Sequence, residues 1–361
     1  MNVKYTLIEF ILFVAIYLRS MVTTFSALIV CYKRKNYILE AVKSIINQDY
    51  RQESVEIVVV KAFLDEYIDK ELNNYNVKSI FCDSPSNGKA ISIGLRSCRN
   101  EIICLLDDDD IFTKSKFLEI SKIFEKNPEI ELSINSYFMI NKSGNEIIEN
   151  RFAENIDDDI PDAINLEKCN LTNKKFRKFD IFFNTSRYSL RNRDLVKLSE
   201  YLINIYYGVD HAIVMFYIFE SMKFAVTNKK LTAYRIHEQN ISRIKPYSKS
   251  FDKLKSQLDK EIDSLRNIQS FRKNRDIAFG NHIELLVLYL NLKRAYIRGS
   301  RSEIFMETTN LLKFYILHSK KMKTNGFYPR LNLYVYRDIL SLPLFLLVPT
   351  RMSKYRLTRF Y

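Results

Sequence analysis

The feature that most constrains this chain is a short apolar run that ends in four consecutive aspartates. Residues 102–106 read Ile-Ile-Cys-Leu-Leu, and Asp107–Asp110 follow them directly. Five such apolar residues predict a buried strand. Adjacent carboxylates repel one another unless a positive group lies among them, and a hard divalent cation is the simplest such group. An acidic turn in water is the alternative, as expected for Asp157–Asp159, which no apolar strand precedes.

Upstream of this run, short apolar strands alternate with stretches at helical spacing. Strands are predicted at Ser26–Val30, Val55–Val60 and Val77–Cys82. Helices are predicted from Tyr37 and over Ala90–Cys98. Strands that alternate with helices predict an α/β fold, in which helices flank both faces of a mostly parallel sheet.

Ligands of such sheets lie at the carboxyl ends of the strands, and the residues predicted there are largely basic. They include Tyr32, Arg34, Lys61 and Lys89. A phosphorylated substrate bridged by a divalent cation would satisfy these groups and the aspartates together. No Walker A sequence is present and no G-x-G-x-x-G follows a strand, so a P-loop or dinucleotide site is not indicated.

Five segments, in order, resemble glycosyltransferase family 2, whose members have the GT-A fold. They are Ser26–Gln48, Val55–Val60, Gly88–Phe112, Gly208–His211 and Leu231–Ser242. The third contains the Asp-x-Asp sequence, the fourth stands where the family has Glu-Asp, and the last reads LTAYRIHEQNIS. The resemblance covers about residues 25–245. It implies a GT-A nucleotide-diphospho-sugar transferase domain there, followed by a C-terminal helical extension.

The resemblance also implies roles for individual residues. Asp107 and Asp109 are expected to hold Mg²⁺ or Mn²⁺ against the diphosphate of a nucleotide sugar. Asp210 is expected to be the general base of an inverting transfer, with a helix N-cap as its alternative role. Substrate or nucleotide contacts are expected from Cys31, Tyr32, Arg34, Lys61, Lys89, Asp108 and His237. For His237, a packed and hydrogen-bonded histidine is the alternative.

Some positions depart from the family pattern. Lys61 replaces the acidic residue that reads the nucleobase, which leaves guanine, uracil and thymine open. Val209 stands in place of the Glu of Glu-Asp, and Ser92 replaces the usual Asn. The family's Pro-Thr after the first strand is Val30-Cys31 here.

Two segments lie outside the resemblance. The N-terminal segment, residues 1–24, contains the apolar stretch Thr6–Leu18, which is too short to span a bilayer and is interpreted as a leader or an anchor. The C-terminal extension, residues 246–361, is predicted to be helical and basic. From Arg243 to the end, 24 Lys and Arg stand against 9 Asp and Glu, whereas the whole chain has a net charge of +14.

The basic C-terminal third predicts an anionic partner. Apolar segments beside basic ends in residues 331–361 suit a helix in an anionic membrane interface. A helical subdomain packed on the catalytic domain is the alternative. No aromatic–glycine recognition motif supports nucleic acid as the partner. Five cysteines without a C-x-x-C pair favour a reducing compartment, so the expected location is cytoplasmic, at the inner face of the membrane.

Together, these observations predict a metal-dependent, inverting enzyme. It would move a sugar from a nucleotide-diphosphate donor to a hydroxyl of a glycan or a lipid-linked sugar. A protein of the same fold that binds a nucleotide sugar or a glycan without catalysis is the alternative. The presence of Asp107, Asp109 and Asp210 argues against that alternative.

Overall fold

A computed structural model describes residues 22–147, 181–240, 251–270 and 284–324. Positions 194, 221, 239, 285, 286, 293, 296, 297 and 299 within these ranges are excepted. The predictions made for Thr6–Leu18, for Asp157–Asp159 and for residues 331–361 concern residues outside the described part of the chain.

The elements alternate as the sequence predicts. The strands are β1 (Phe25–Cys31), β2 (Val55–Lys61), β3 (Lys78–Phe81), β4 (Ile102–Asp107), β5 (Ile111–Phe112), β6 (Ile130–Ile140), β7 (Tyr188–Arg191) and β8 (Lys223–Arg235). The helices are α1 (Ile38–Ile46), α2 (Glu66–Asn74), α3 (Asn87–Ser97), α4 (Lys116–Lys126), α5 (Leu195–Leu202), α6 (Val209–Phe219), α7 (Phe251–Ser270) and α8 (Arg301–Thr324). Single 3₁₀ turns occupy Gln52–Ser54 and Thr185–Arg187.

One eight-stranded sheet runs in the order β3-β2-β1-β4-β7-β6-β8-β5. The β1–β2, β1–β4, β2–β3 and β6–β8 pairs are parallel, whereas β7 and β5 run antiparallel to their neighbours. The registers Val30↔Asp107 and Cys31↔Lys61 bring the ends of three strands to the same edge. The predicted α/β fold with a mostly parallel sheet is confirmed.

Successive side chains of each strand point to opposite faces, and helices cover both faces. Leu28 and Leu105 pack on the face formed with α3, α5 and α6. Ile29 and Leu106 pack on the other face, with α1, α2 and α4. Because β1 and β4 are buried on both sides, their sequences are mostly apolar rather than alternating.

Part of the C-terminal extension joins this core. Leu258 and Ile262 of α7 are buried in the cluster that contains α6. Ser264 Oγ of α7 accepts hydrogen bonds from the backbone N–H of Tyr206 (3.0 Å) and of Tyr207. Helix α7 therefore braces the loop before α6. Within the proposed extension, the structure describes the helices α7 and α8. Among the residues the structure describes, no helix is long and apolar enough to cross a membrane.

Helix α3 begins at Asn87, three residues earlier than the sequence predicts from Ala90. Ser86 has extended backbone angles, and its Oγ accepts the backbone N–H of Lys89 at 3.1 Å. Such a side chain satisfies one of the unpaired donors of the first turn. The loop before α3 therefore ends in a helix cap.

Gly88 lets the start of α3 lie against the end of α5. Its N–H donates to Ile205 O at 3.1 Å, and Ser86 Oγ donates to the same oxygen at 2.8 Å. A Cβ added at Gly88 would lie 2.3 Å from the carbonyl oxygens of Leu202 and Ile205. Both obstructing atoms belong to the backbone, so neither can rotate away.

We expect Gly88→Ala to destabilise the protein by about 3 kcal/mol, the upper end of the usual cost of overpacking. Urea unfolding followed by circular dichroism measures the change. Lys70→Ala, at an exposed position of α2, serves as the control and should leave the midpoint nearly unchanged. Equal midpoints for the two variants would show that α3 and α5 can separate without cost.

Candidate active site

The four aspartates form a buried turn between β4 and β5. Asp107 ends β4, and the backbone N–H of Asp110 donates to Asp107 O at 3.1 Å, which closes the turn. Asp108, Asp109 and Asp110 are 3%, 4% and 1% exposed. A solvated acidic turn is therefore the wrong description of this segment. Buried carboxylates need partners, because an unpaired buried charge is costly.

Three of these side chains converge. Asp107, Asp109 and Asp110 each offer a carboxylate oxygen, and these three atoms lie within 4.8 Å of one another. Carboxylate oxygens are the ligands that Mg²⁺ and Mn²⁺ prefer. The cluster can therefore hold a divalent cation, and it includes Asp110 in addition to the two aspartates expected from the sequence.

Asp108 turns away from the other three, towards the loop after β1. Its Oδ2 accepts a hydrogen bond from Cys31 Sγ at 3.1 Å and one from Arg34 Nε at 3.3 Å. The guanidinium of Arg34 also pairs with Asp108 Oδ1 and with Asp109 Oδ2. Burial and the charge of Asp108 raise the pKa of the Cys31 thiol. Cys31 is therefore not a thiolate nucleophile.

The end of β8 closes the turn from the other side. Arg235 is fully buried, its backbone N–H donates to Asp110 Oδ1 at 2.9 Å, and its Nε donates to Asp109 O at 2.8 Å. His237 Nε2 lies 2.9 Å from Asp109 Oδ2, and Asn240 Nδ2 donates to the same oxygen at 3.4 Å. His237 is thus hydrogen-bonded to one of the three converging carboxylates.

Three consecutive residues shortly before β7 hydrogen-bond to the side chains of Asp107 and Asp110. Thr185 Oγ1 donates to Asp107 Oδ1 at 2.6 Å. Ser186 Oγ donates to Asp110 Oδ2 at 2.6 Å, and Asn184 Nδ2 donates to the same oxygen at 2.8 Å. This 184–186 segment thus supplies three neutral donors.

The neutral donors and the guanidinium of Arg34 do not fully offset the repulsion among the four aspartates. Burial, followed by the charge of Asp109, raises the pKa of Asp107 from 3.8 to about 7, against the bond from Thr185. Burial and the charges of Asp109 and Asp107 raise the pKa of Asp110 well above its usual value. Additional positive charge at this position would therefore stabilise the ionised forms.

Asp210 lies in the first turn of α6, a helix that is apolar and buried along most of its length. The N-cap of α6 is Gly208, which has a left-handed φ of 67° and gives no side-chain cap bond, so the N-cap alternative for Asp210 is wrong. Asp210 Oδ1 accepts the backbone N–H of His211 at 2.9 Å. The imidazole of His211 stacks on Phe182 with 5.1 Å between ring centroids.

The remaining expected contact residues lie at strand or helix ends. The Nζ of buried Lys61 pairs with Asp69 at 2.7 Å and donates to Phe63 O at 2.7 Å, so α2 and its preceding loop hold this cation. Tyr32 is half-buried after β1, and Lys89 is exposed in the first turn of α3.

Residues 26–198 match the sequence model described as glycosyl transferase family 2. The matched region contains β1 to β7 and the entire acidic turn. The resemblance to family 2 is confirmed.

Two curated relatives share part of their length with this chain. The minor teichoic acid biosynthesis protein GgaB of Bacillus subtilis is 21% identical over 351 residues, which cover 86% of this chain and 36% of that protein. An uncharacterized glycosyltransferase of Rickettsia conorii is 28% identical over 134 residues, or 35% of this chain and 21% of that protein. This chain therefore spans about a third of the length of GgaB and about a fifth of the length of the Rickettsia protein.

Solved structures similar to the chain include two glycosyltransferases. S. aureus TarS 1–349 in complex with UDP-GlcNAc has a TM-score of 0.48 and 14% identity, covering 82% of this chain and 92% of that chain. The mannosyltransferase PcManGT from Pyrobaculum calidifontis, in complex with GDP-Man and Mn²⁺, has a TM-score of 0.48 and 9% identity. The match covers 86% of this chain and 83% of that chain. With TM-scores under 0.5, neither likeness carries an argument about this chain.

Sequence reasoning missed several residues of this site. Arg235 and Asn240 stand in the segment that resembles the family, LTAYRIHEQNIS, so their position there was the available signal. Thr185 and Ser186 gave no signal, because isolated hydroxyl residues before a four-residue strand have no pattern. Lys116, fully buried, pairs with Asn135 Oδ1 and lies 3.4 Å from Ser186 O; burial lowers its pKa to about 8.

The raised pKa of Asp107 predicts a pH dependence for the metal-free protein. Between pH 3.8 and about 7, the folded state keeps the proton of Asp107 while the unfolded state has released it. The contribution of Asp107 to the free energy of unfolding should therefore fall as pH rises through this window.

Urea unfolding in EDTA at several pH values measures this effect, with Asp107→Asn as the reference because Asn cannot titrate. Relative to the variant, the wild type should lose stability as pH rises towards about 7 and change little above it. If both proteins show parallel pH curves, the carboxyl of Asp107 titrates at an ordinary pKa.

Proposed function

We propose that this chain is a metal-dependent, inverting glycosyltransferase that uses a nucleotide-diphospho-sugar donor. The observation that carries the proposal is the convergence of Asp107, Asp109 and Asp110 in a buried turn beside Arg34. The family match of residues 26–198 supports the class of reaction.

In this proposal, Asp107 and Asp109 hold Mg²⁺ or Mn²⁺, with Asp110 as a third ligand. When bound, the cation lowers the energy of the charge that develops on the departing diphosphate. Arg34 is half-buried and lies at the same edge, so its guanidinium can bind phosphate oxygens in a bidentate manner. His237, hydrogen-bonded to Asp109, holds that carboxylate in place.

We propose that donor contacts also come from the strand ends. Cys31 and Asp108 fix the loop that contains Tyr32, and Tyr32 then lies against the nucleotide. Lys61 contributes positive charge from the end of β2, although its ion pair with Asp69 limits its freedom to contact a base. Exposed Lys89 completes the basic rim of the site.

Asp210 is proposed as the general base that takes the proton of the acceptor hydroxyl. Its side chain is about a quarter exposed, so an acceptor can reach it. His211, 3.3 Å from Asp210 Oδ1, limits the rotation of that carboxylate. The proposed acceptor is a hydroxyl of a glycan or a lipid-linked sugar, and the name of the relative GgaB supports a cell-wall polymer.

Two variants separate donor binding from transfer. Asp109→Ala should lose Mn²⁺-dependent binding of nucleoside diphosphates, because it removes a ligand from the buried cluster. Asp210→Asn should bind the same nucleotides as the wild type but transfer sugar at least about 100-fold more slowly, because it lacks the base. Thermal shift with UDP, GDP and dTDP in Mn²⁺ measures binding, and release of nucleoside diphosphate from labelled donors measures transfer.

Lys70→Ala is the control, because Lys70 is exposed on α2 and lies outside the acidic turn. It should keep Mn²⁺-dependent nucleotide binding. A wild type that binds nucleotide sugar but releases no nucleoside diphosphate with any acceptor would favour the non-catalytic alternative. Near-normal turnover by Asp210→Asn would remove Asp210 as the base.

We also propose a division into an N-terminal segment (residues 1–24), a transferase domain (25–245) and a basic extension (246–361) that contacts an anionic membrane at its cytoplasmic face. Helix α8 supports this contact. It packs through buried Thr308 and Leu311, and it exposes apolar side chains together with a cation. These exposed residues are Phe305, Met306, Lys313, Ile316 and Leu317. Apolar groups beside lysines suit the surface of an anionic bilayer.

The double variant Ile316→Ser, Leu317→Ser should reduce co-sedimentation with phosphatidylglycerol vesicles several-fold. Leu64→Ser, Tyr67→Ser is the matched control, since these two residues are equally exposed but lie beside α2. Vesicles of phosphatidylcholine should bind neither protein. Unchanged binding by the α8 variant, or stronger binding to DNA than to vesicles, would contradict the membrane contact.

A further inference from the structure

We propose that the 184–186 segment is a positioning device that orients Asp107 and Asp110 to hold the cation. This inference rests on the proposed metal role of the acidic turn. It concerns Asn184, Thr185 and Ser186, which hydrogen-bond to the carboxylates of Asp107 and Asp110.

Thr185 fixes the first carboxylate. Its Oγ1 donates to Asp107 Oδ1 at 2.6 Å, so one oxygen of Asp107 has a defined donor and the plane of the carboxylate cannot rotate freely. Hydrogen bonds to a charged carboxylate are stronger than those between neutral groups.

Ser186 joins the two ends of the acidic turn. Its Oγ accepts the backbone N–H of Asp107 at 2.9 Å and donates to Asp110 Oδ2 at 2.6 Å. One hydroxyl therefore sets both the backbone where β4 ends and the side chain three residues later. Asn184 Nδ2 adds a second donor to Asp110 Oδ2 at 2.8 Å.

The segment is itself held rigidly. Asn184 has a left-handed φ of 62°, and its Oδ1 accepts the backbone N–H of Ser186 at 2.7 Å. The carbonyl of Ser186 accepts bonds from Thr232 Oγ1 at 3.0 Å and from Lys116 Nζ at 3.4 Å. Ser186 is completely buried, and β7 follows between β4 and β6. A rigid donor set can impose its geometry on the carboxylates instead of following them.

Groups that hydrogen-bond to metal ligands commonly change metal affinity by about 10- to 100-fold when removed. The test is a Mn²⁺ titration of the full chain followed by electron paramagnetic resonance, without nucleotide. Thr185→Val keeps the shape of the side chain but removes the donor, and should weaken Mn²⁺ binding by about 10- to 100-fold. Thr185→Ser restores the hydroxyl and should bind within about threefold of the wild type.

Ser189→Ala is the matched control. Ser189 is an equally buried hydroxyl on β7, but its partner is Cys104 Sγ at 3.3 Å. Its loss should leave Mn²⁺ affinity unchanged while lowering thermal stability slightly. Ser186→Ala provides a second variant in case Thr185→Val does not fold, and it should weaken binding in the same range.

The outcomes are distinct. Wild-type affinity in both Thr185→Val and Ser186→Ala overturns the positioning role while leaving the metal role intact. Equal losses in Thr185→Val and Thr185→Ser also overturn it, because a variant that keeps the hydroxyl donor would then bind Mn²⁺ as weakly as one that lacks it. A wild type that binds no Mn²⁺ overturns the metal role of the turn, and this inference with it. Loss in Thr185→Val with recovery in Thr185→Ser supports the inference.

Discussion

The crowding of four consecutive carboxylates, three of them buried and Asp107 half-buried, is the constraint on which the rest of this structure depends. Removing such charges from water is costly unless hydrogen bonds and opposite charges replace the lost solvent. Four separate parts of the chain supply that replacement: the loop with Arg34, the 184–186 segment, buried Arg235 and the His237–Asn240 turn. The edge of the sheet at which β1, β2 and β4 end is therefore built around the negative charge of the four aspartates.

The hydrogen bonds and the ion pairs of Arg34 offset only part of the negative charge of the four aspartates. Arg34 neutralises Asp108 and shares Asp109, whereas Asp107 and Asp110 receive mainly neutral donors. Burial consequently raises the pKa values of Asp107 and Asp110, and the proposed divalent cation would offset the negative charge that the protein leaves unpaired. The crowding that raises these pKa values is also the property that suits the site to the proposed metal ion.

The sequence predicted the alternating half of the fold and the acidic turn, because strands of five to seven apolar residues and runs of like charge leave strong local patterns. The position of Arg34 after a predicted strand made it a candidate, and the resemblance to the family added His237. It did not predict β7, whose four residues insert antiparallel between β4 and β6, nor the 184–186 segment that precedes it. The hydroxyls of Thr185 and Ser186 hydrogen-bond to residues that lie 76 to 79 positions away in the sequence. No local pattern predicts partners at that separation.

The order of these partners along the chain has a consequence for biosynthesis. The aspartates emerge from the ribosome at residues 107–110, but their hydrogen-bonding partners in β8 and its following turn lie 125 to 131 residues later. Long-range contacts of this kind form slowly because the chain must first close large loops. Nascent chains shorter than about 240 residues therefore contain the acidic turn and Arg34 but lack the donors that follow from Arg235, His237 and Asn240. The hydrogen bonds to the aspartates are completed only after β8 and its following turn have been made.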